Sequence, residues 1–330
     1  MLVCDKIYML STGGTEMAVK EQVLKILEEN KGRSVSGEDM AKELFVSRNA
    51  VWKAIKALQS EGHIINAVTN RGYSLSEKSV VFSPQSVMKL LGSDSGKFDI
   101  IYRETVGSTN TELKVLAEKG SPEGTVLIAG EQTAGKGRRG RSFCSPKGTG
   151  LYISILLRPA FSAEKALFIT TCAAVAVAEA VDEITGGEAE IKWVNDVFLG
   201  SKKICGILCE HFFDSGKEYI IAGIGINLTT ADFPDELDKA GSVSLDIPRE
   251  KLAEMIAKKL LGYAADPDDS AIAAAYEKRL FFLGKEITFV KDNEQFTAVA
   301  DGVNDECNLL VTLPNGQREA LSSGEISIKI

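Results

Sequence analysis

The sequence predicts an α+β protein of several domains, and three observations carry that reading. At 330 residues the chain is longer than one ordinary core accommodates. Apolar residues recur at a 3.6 period near the N-terminus, whereas helical and strand patterns mix through the middle. Two-residue alternation then dominates the end of the chain. We divide the chain at 1–16, 17–78, 79–276 and 277–330. Residues 1–16 carry no periodicity and include Thr12-Gly13-Gly14, so they are expected to form a loose leader ahead of a possible start at Met17.

From Met17 onward the pattern reads helix, helix, helix, hairpin. Val19, Val23, Ile26 and Leu27 share one helix face, which Asn30-Lys31-Gly32 stops. Ser36 and Asp39 form a capping box ahead of Met40, Ala41 and Leu44. After Phe45-Val46, Ser47 is an N-cap for a helix through Glu61, with Val51, Ile55 and Leu58 inward. Residues 63–68 and 73–75 around Asn70-Arg71-Gly72 make a two-stranded wing. This order is a winged helix-turn-helix, with Ser47, Arg48, Asn49, Trp52, Lys53, Lys56 and Arg71 as the candidate DNA-binding face. Between Phe45 and Leu75 the four cations Arg48, Lys53, Lys56 and Arg71 face one acid, Glu61, which suits phosphate contacts. A protein-interaction domain of the same shape is the other reading.

The composition is that of an average globular chain: 44% hydrophobic, 25% charged, with 30 Gly and 8 Pro, which excludes disordered and collagen-like classes. A net charge of −8 provides no global field toward nucleic acid or membrane, so anion binding must come from local clusters. Six cysteines at irregular spacing and two histidines argue against a structural zinc site or a disulfide framework. Asp5 and Lys6 interrupt the only N-terminal apolar stretch, and the charge-free run 166–178 is too short to span a bilayer. A soluble, cytoplasmic protein without membrane partners is expected.

The middle region reads as a mixed sheet with helices on one side. The expected strands are 98–102, 125–132, 151–157, 190–193, 197–199, 203–213 and 219–228. The expected helices are 84–91, 108–119, 163–183, 249–261 and 272–280. Beyond it, strands at 286–290, 296–301, 309–313 and 325–330 around Pro314-Asn315-Gly316 suggest an SH3-like small β-barrel.

Gly135-Lys136-Gly137-Arg138-Arg139-Gly140 matches the glycine pattern of dinucleotide-binding turns. Such a turn must run directly into a helix, whereas here Arg141-Ser142-Phe143-Cys144-Ser145-Pro146 continues toward Gly148 and Gly150. Lys136, Arg138, Arg139, Arg141 and Lys147 lie on this loop without an acid. Their density suits an acyl-adenylate or pyrophosphate; an RNA contact and a solvated basic loop remain open beside it.

Four further segments follow in register. These are Glu104-Thr105-Val106-Gly107-Ser108-Thr109-Asn110, then Glu131-Gln132 before the basic loop, then Lys192-Trp193-Val194-Asn195-Asp196 leading to Lys203-Ile204-Cys205-Gly206, and last Gly223-Ile224-Gly225-Ile226-Asn227. In this order they resemble the biotin–protein ligases, in particular the bifunctional form that also represses biotin genes, over nearly the whole chain after Met17. The resemblance implies a central catalytic domain that joins biotin to AMP, using ATP and its Mg²⁺, and transfers biotin to a lysine of a biotin carboxyl carrier protein. It implies biotin contacts from Ser108, Thr109, Asn110, Gln132, Lys136, Gly137, Arg138, Lys203 and Gly206. Adenylate or ATP contacts fall to Gly135, Lys136, Arg138, Arg139, Arg141, Phe143, Asn195 and Asn227. Lys203, Arg138, Asp196 and Lys192 are the implied catalytic groups, with no resident metal. Asp196 is either the base for the incoming amine or a structural partner of Lys203 or Lys192, and Ser108 is either a biotin contact, a helix cap or both. The resemblance further implies operator DNA as a partner, biotinyl-AMP as corepressor and a homodimer favoured by it. Lys136 stands where many relatives have Arg, Phe143 where Trp is usual, and Val194 where Pro is common. Rival readings are a ligand-sensing transcription factor with an inactive core, a lipoate-type ligase, and a nucleotide-binding dehydrogenase disfavoured by the loop.

Overall fold

The apolar stripe of Val19, Val23, Ile26 and Leu27 lies buried on helix α1 (Thr12–Glu29), at the centre of the N-terminal core. The structure is a computed structural model. It describes residues 12–68, 71–76, 81–158, 166–214, 217–244, 247–266, 268–291, 294–322, 324 and 326–328. Helix α1 begins at Thr12, so residues 12–16 belong to a helix rather than to the expected leader. The rest of that segment lies outside the described residues, as does Asn70 of the wing turn.

The chain forms two compact units, Met1–Ser86 and Val87–Ile330. In the first, the side chain of Ser36 caps α2 (Gly37–Glu43) by accepting from the Glu38 and Asp39 amides. Ser47 does the same for α3 (Arg48–Ser60) from Ala50 N–H at 3.1 Å. Val51, Ile55 and Leu58 of α3 are buried with Met40, while Arg48, Asn49, Trp52, Lys53 and Lys56 are exposed. Strands β1 (Ile65–Val68) and β2 (Gly72–Leu75) pair antiparallel as the wing, and Tyr73 also bridges Val35. Gly72, at φ 95°, has no room for a side chain, because a Cβ would sit 2.0 Å from the Val35 carbonyl.

Helix α4 (Pro84–Leu91) runs across the boundary in the chain, and its proline occupies the first helical position, where its missing N–H costs nothing. A seven-stranded sheet follows. In chain order its strands are β3 (Asp99–Val106), β4 (Thr125–Gln132), β5 (Gly150–Leu157), β6 (Ala189–Lys192), β7 (Asp196–Leu199), β8 (Lys202–Asp214) and β9 (Lys217–Asn227). Their spatial order is β3-β4-β5-β9-β8-β7-β6, parallel only between β3 and β4 and antiparallel elsewhere, which is a mixed sheet. Helix α5 (Thr109–Glu118) packs Leu113 and Ala117 on Leu127, Leu156 and Ile221.

Strand β5 is buried at every position, since Leu151, Ile153 and Ile155 on its other face lie under α7 (Arg249–Ala265). Helix α6 (Ala166–Thr185) packs on β8 and β9. The expectation of helices on one side is therefore corrected: a strand without alternation needs cover on both faces. The start expected for this long helix at 163 lies outside the described residues.

After α8 (Asp269–Glu277) comes a five-stranded antiparallel sheet. It comprises β10 (Glu286–Lys291), β11 (Glu294–Val303), β12 (Leu309–Thr312), β13 (Arg318–Leu321) and β14 (Ile326–Ile328), in the order β13-β12-β11-β10-β14. Strand β13 escapes sequence reading because Arg-Glu-Ala-Leu has no β-branched or aromatic residue. Among the described residues no helix is long and apolar enough to cross a membrane.

Candidate active site

One pocket, of about 260 Å³, gathers the segments picked out in the sequence. It is lined at one end by Ser108, Thr109, Asn110 and Gln132, and at the other by Lys192, Asn195, Asp196, Lys203 and Gly206. Four strand steps separate β4 from β7, about 19 Å across the sheet. The basic loop spans the interval, with Lys136, Gly137, Arg138, Arg139, Arg141 and Phe143 in the lining.

That loop is a hairpin. Lys136 bridges Ser142, Gly137 N–H donates to Arg141 O at 2.7 Å, and Phe143 N–H donates to Gly135 O at 2.9 Å. The chain then enters β5 antiparallel to β4, so no helix N-terminus follows the glycines and the dinucleotide reading fails. At Gly135 a Cβ would lie 2.4 Å from the Phe143 carbonyl, which is why the hairpin needs glycine there. Arg138 donates to Asn195 Oδ1 at 3.0 Å, and Asn195 Nδ2 donates to Ile207 O at 3.0 Å, tying the loop to the turn before β7. The Phe143 ring rests on Gly206 and Gly225, which face each other across β8 and β9; a Cβ on Gly225 would meet the ring at 2.3 Å.

Ser108 holds the N-cap position of α5 without a capping bond from its side chain, so the cap reading is set aside. Gln132 does that work: its Oε1 accepts from Thr109 N–H at 2.8 Å and from Thr109 Oγ1 at 3.0 Å, and its Nε2 donates to Ser145 Oγ at 2.9 Å. Asn110 is buried with Nδ2 donating to Leu208 O and Glu210, beside Gly223, where a Cβ would collide with its Oδ1 at 2.1 Å. Lys203 Nζ lies 2.8 Å from Asp196 Oδ1, so Asp196 is ion-paired with Lys203. Asn227, 5% exposed, is among the lining residues and donates from Nδ2 to Gly241 O at 3.2 Å, while its Oδ1 is buried without a partner.

Sequence reading missed the wall formed by Phe233, Glu236, Leu237, Asp238, Lys239 and Ala240. Only tertiary pairing brings it there, through Lys203 N–H on Lys239 O and Gly241 N–H on Lys203 O, both near 3 Å. Gly324 of the C-terminal sheet region also lines the pocket, beside Trp193.

A model of the biotin/lipoate A/B protein ligase family matches residues 102–227, the stretch that holds most of this lining. Models of an HTH domain and of the biotin protein ligase C-terminal domain match 19–74 and 282–329. The bifunctional ligase/repressor BirA of Bacillus subtilis is 31% identical over 92% of this chain and 97% of its own length. The chain belongs to the biotin–protein ligase family. BirA of Escherichia coli, another bifunctional ligase/repressor, is 27% identical over 90% of this chain and 94% of its own. A biotin protein ligase from Aquifex aeolicus, solved with biotin and ATP, superposes with a TM-score of 0.60 at 29% identity, covering 70% of this chain and 98% of that one. The matched features of this biotin–protein ligase family member thus run from the first helix to the last sheet.

Proposed function

We propose that this protein is an ATP-dependent biotin–protein ligase that also acts as a biotin-responsive repressor. One observation carries the ligase reading: a single pocket joins a neutral polar wall to a cationic rim. Biotin has a neutral ureido ring at one end and a carboxylate at the other. Ser108, Thr109 and Gln132 meet the ring with uncharged donors and acceptors, as a polar uncharged group requires. Lys136, Gly137 and Arg138 hold the carboxylate and the α-phosphate, with Gly135, Arg139 and Arg141 shaping and charging the same loop. A lipoyl ring offers no N–H or carbonyl to the polar wall, which favours biotin over lipoate.

In the first step a biotin carboxylate oxygen attacks the α-phosphorus of ATP and the bond to pyrophosphate breaks. Lys203, Arg138 and Lys192 stabilise the charge that grows on the phosphate oxygens. Asn195 stands beside the phosphates, whose charge an accompanying Mg²⁺ would offset. Phe143 covers the adenine, and Asn227 stands in the lining at the same end. In the second step a carrier lysine amine attacks the acyl carbon and AMP leaves. The phosphate draws Lys203 away from Asp196, and the released carboxylate takes the proton of the attacking amine.

The winged helix, residues 17–78 in our division, binds operator DNA through the exposed face of α3 and Arg71 of the wing; the 79–276 catalytic and 277–330 C-terminal regions follow it in the chain. Biotinyl-AMP serves as corepressor and favours a homodimer. The direct test is incubation with ATP, labelled biotin and a biotin carboxyl carrier domain. The expected result is label on one carrier lysine with release of pyrophosphate; absence of label would refute the ligase reading.

A further inference from the structure

Behind the neutral wall of the pocket lies a chain of hydrogen bonds that uses every hydroxyl proton within it. Both Asn110 Nδ2 hydrogens are used, on Leu208 O at 3.1 Å and on a Glu210 carboxylate oxygen at 2.7 Å. Asn110 therefore turns its Oδ1, an acceptor only, toward Ser154 Oγ at 2.6 Å. The single hydroxyl proton of Ser154, a residue of β5 with 0% exposure, is shared between that oxygen and Thr109 Oγ1. Ser154 Oγ also donates to Thr109 Oγ1 at 2.7 Å, so Thr109 accepts on this side. Thr109 has one proton, and it donates it to Gln132 Oε1 at 3.0 Å, inside the wall. The orientation of Gln132 is pinned in turn by its Nε2 donating to Ser145 Oγ. No Thr109 proton is left for the pocket, and what its hydroxyl presents there is a lone pair.

We propose that Glu210 and Ser154 are positioning residues which, through Asn110, fix the Thr109 hydroxyl as a hydrogen-bond acceptor and so make the pocket select a ligand ring N–H. The ligand class is a cyclic urea or another ring carrying an N–H donor. A ring without N–H leaves a buried lone pair unmet, which a polar site rejects more strongly than a missing methylene. This inference rests on the biotin reading above, and it extends the site to two residues that touch no ligand.

The test is biotin binding to the full-length protein by calorimetry without ATP, for Thr109→Val, Ser154→Ala, Glu210→Ala and the two double variants that include Thr109→Val. Loss of one such neutral contact corresponds to about a 10-fold weaker Kd. Ser154→Ala and Glu210→Ala are each expected to show it, and neither is expected to weaken binding further once Thr109 is Val. The KM for biotin should rise in both single variants while kcat at saturating biotin holds, a split that a merely structural defect would not produce. Where Ser154→Ala fails to fold, the half-buried Glu210→Ala carries the cycle alone. Unchanged biotin affinity in folded single variants, or losses that multiply with Thr109→Val, would overturn the proposal. Failure of the unaltered protein to bind biotin would instead overturn the ligand reading itself.

Discussion

Among single residues, the two cations with fixed partners are the most informative. Lys203 pairs with Asp196 and Arg138 with Asn195, so each cation has a defined place in the lining of the pocket. Lys203→Ala or Arg138→Ala should lower carrier biotinylation by about 10²–10³ in kcat, the usual loss for one electrostatic donor at a developing charge. Steady-state transfer assays with purified carrier check this, and near-normal turnover in both would displace the site. Asn227→Ala should raise the KM for ATP about 10-fold and leave biotin affinity unchanged, because it removes the amide that holds Gly241 O at the nucleotide end of the pocket. Phe45 is informative in a different way. It has φ 54° and is 96% exposed between α2 and α3, a left-handed conformation that disfavours any side chain. Phe45→Gly relieves that strain at some entropic cost, so the N-terminal unit should gain about 0.5–1 kcal/mol, read from thermal melts.

Of the elements, the hairpin 135–143 and the start of the wing behave differently toward ligand and pH. The hairpin concentrates Lys136, Arg138, Arg139 and Arg141 around three glycines, and mutual repulsion opposes its folding until an anion compensates it. Biotin with ATP should therefore protect residues 136–143 from protease; equal cleavage with and without them would count against the idea. His63, at the entry to β1, is buried with Nδ1 unpartnered among Glu28, Glu61, Lys20 and Lys31. Burial holds its pKa below the ordinary value of 6.5, outweighing the two glutamates. The unfolded chain therefore binds the proton first, and stability rises with pH across that window. The stabilisation is complete above about pH 6.5 and is lost as pH falls toward the lowered folded value. Calorimetric melts between pH 7.5 and 5.5 should show the N-terminal unit weakening, and His63→Gln should flatten that slope.

At the scale of the whole molecule, one winged helix reads a single short half-site, so selective operator binding calls for a two-fold pair. If biotinyl-AMP favours that pair, linkage requires intermediate and operator to raise each other's affinity by the same factor. Sedimentation and operator binding over a biotin titration with ATP, at fixed salt, should show joint increases in dimer and in DNA affinity. Unchanged monomer content and unchanged affinity would leave a ligase whose winged helix has another use.

Most secondary structure was legible because it is decided locally. The period of Val19, Val23, Ile26 and Leu27, the caps at Ser36 and Ser47 and the alternation near the C-terminus act over a few residues each. The motifs at 108–110, 132–143, 192–196 and 203–206 were legible too, because the chemistry of the site restricts which side chains can stand there. What the tertiary structure alone decided is how those segments meet. Sheet order put residues of β4 and β8 around one pocket, Gln132 rather than Ser108 became the cap of α5, and Asp196 was paired with Lys203. The wall at 233–240 and the Glu210–Asn110–Ser154–Thr109 chain join residues up to about a hundred positions apart. Hydrogen bonds of that span carry no local periodicity, so their partners are chosen only when the sheet closes.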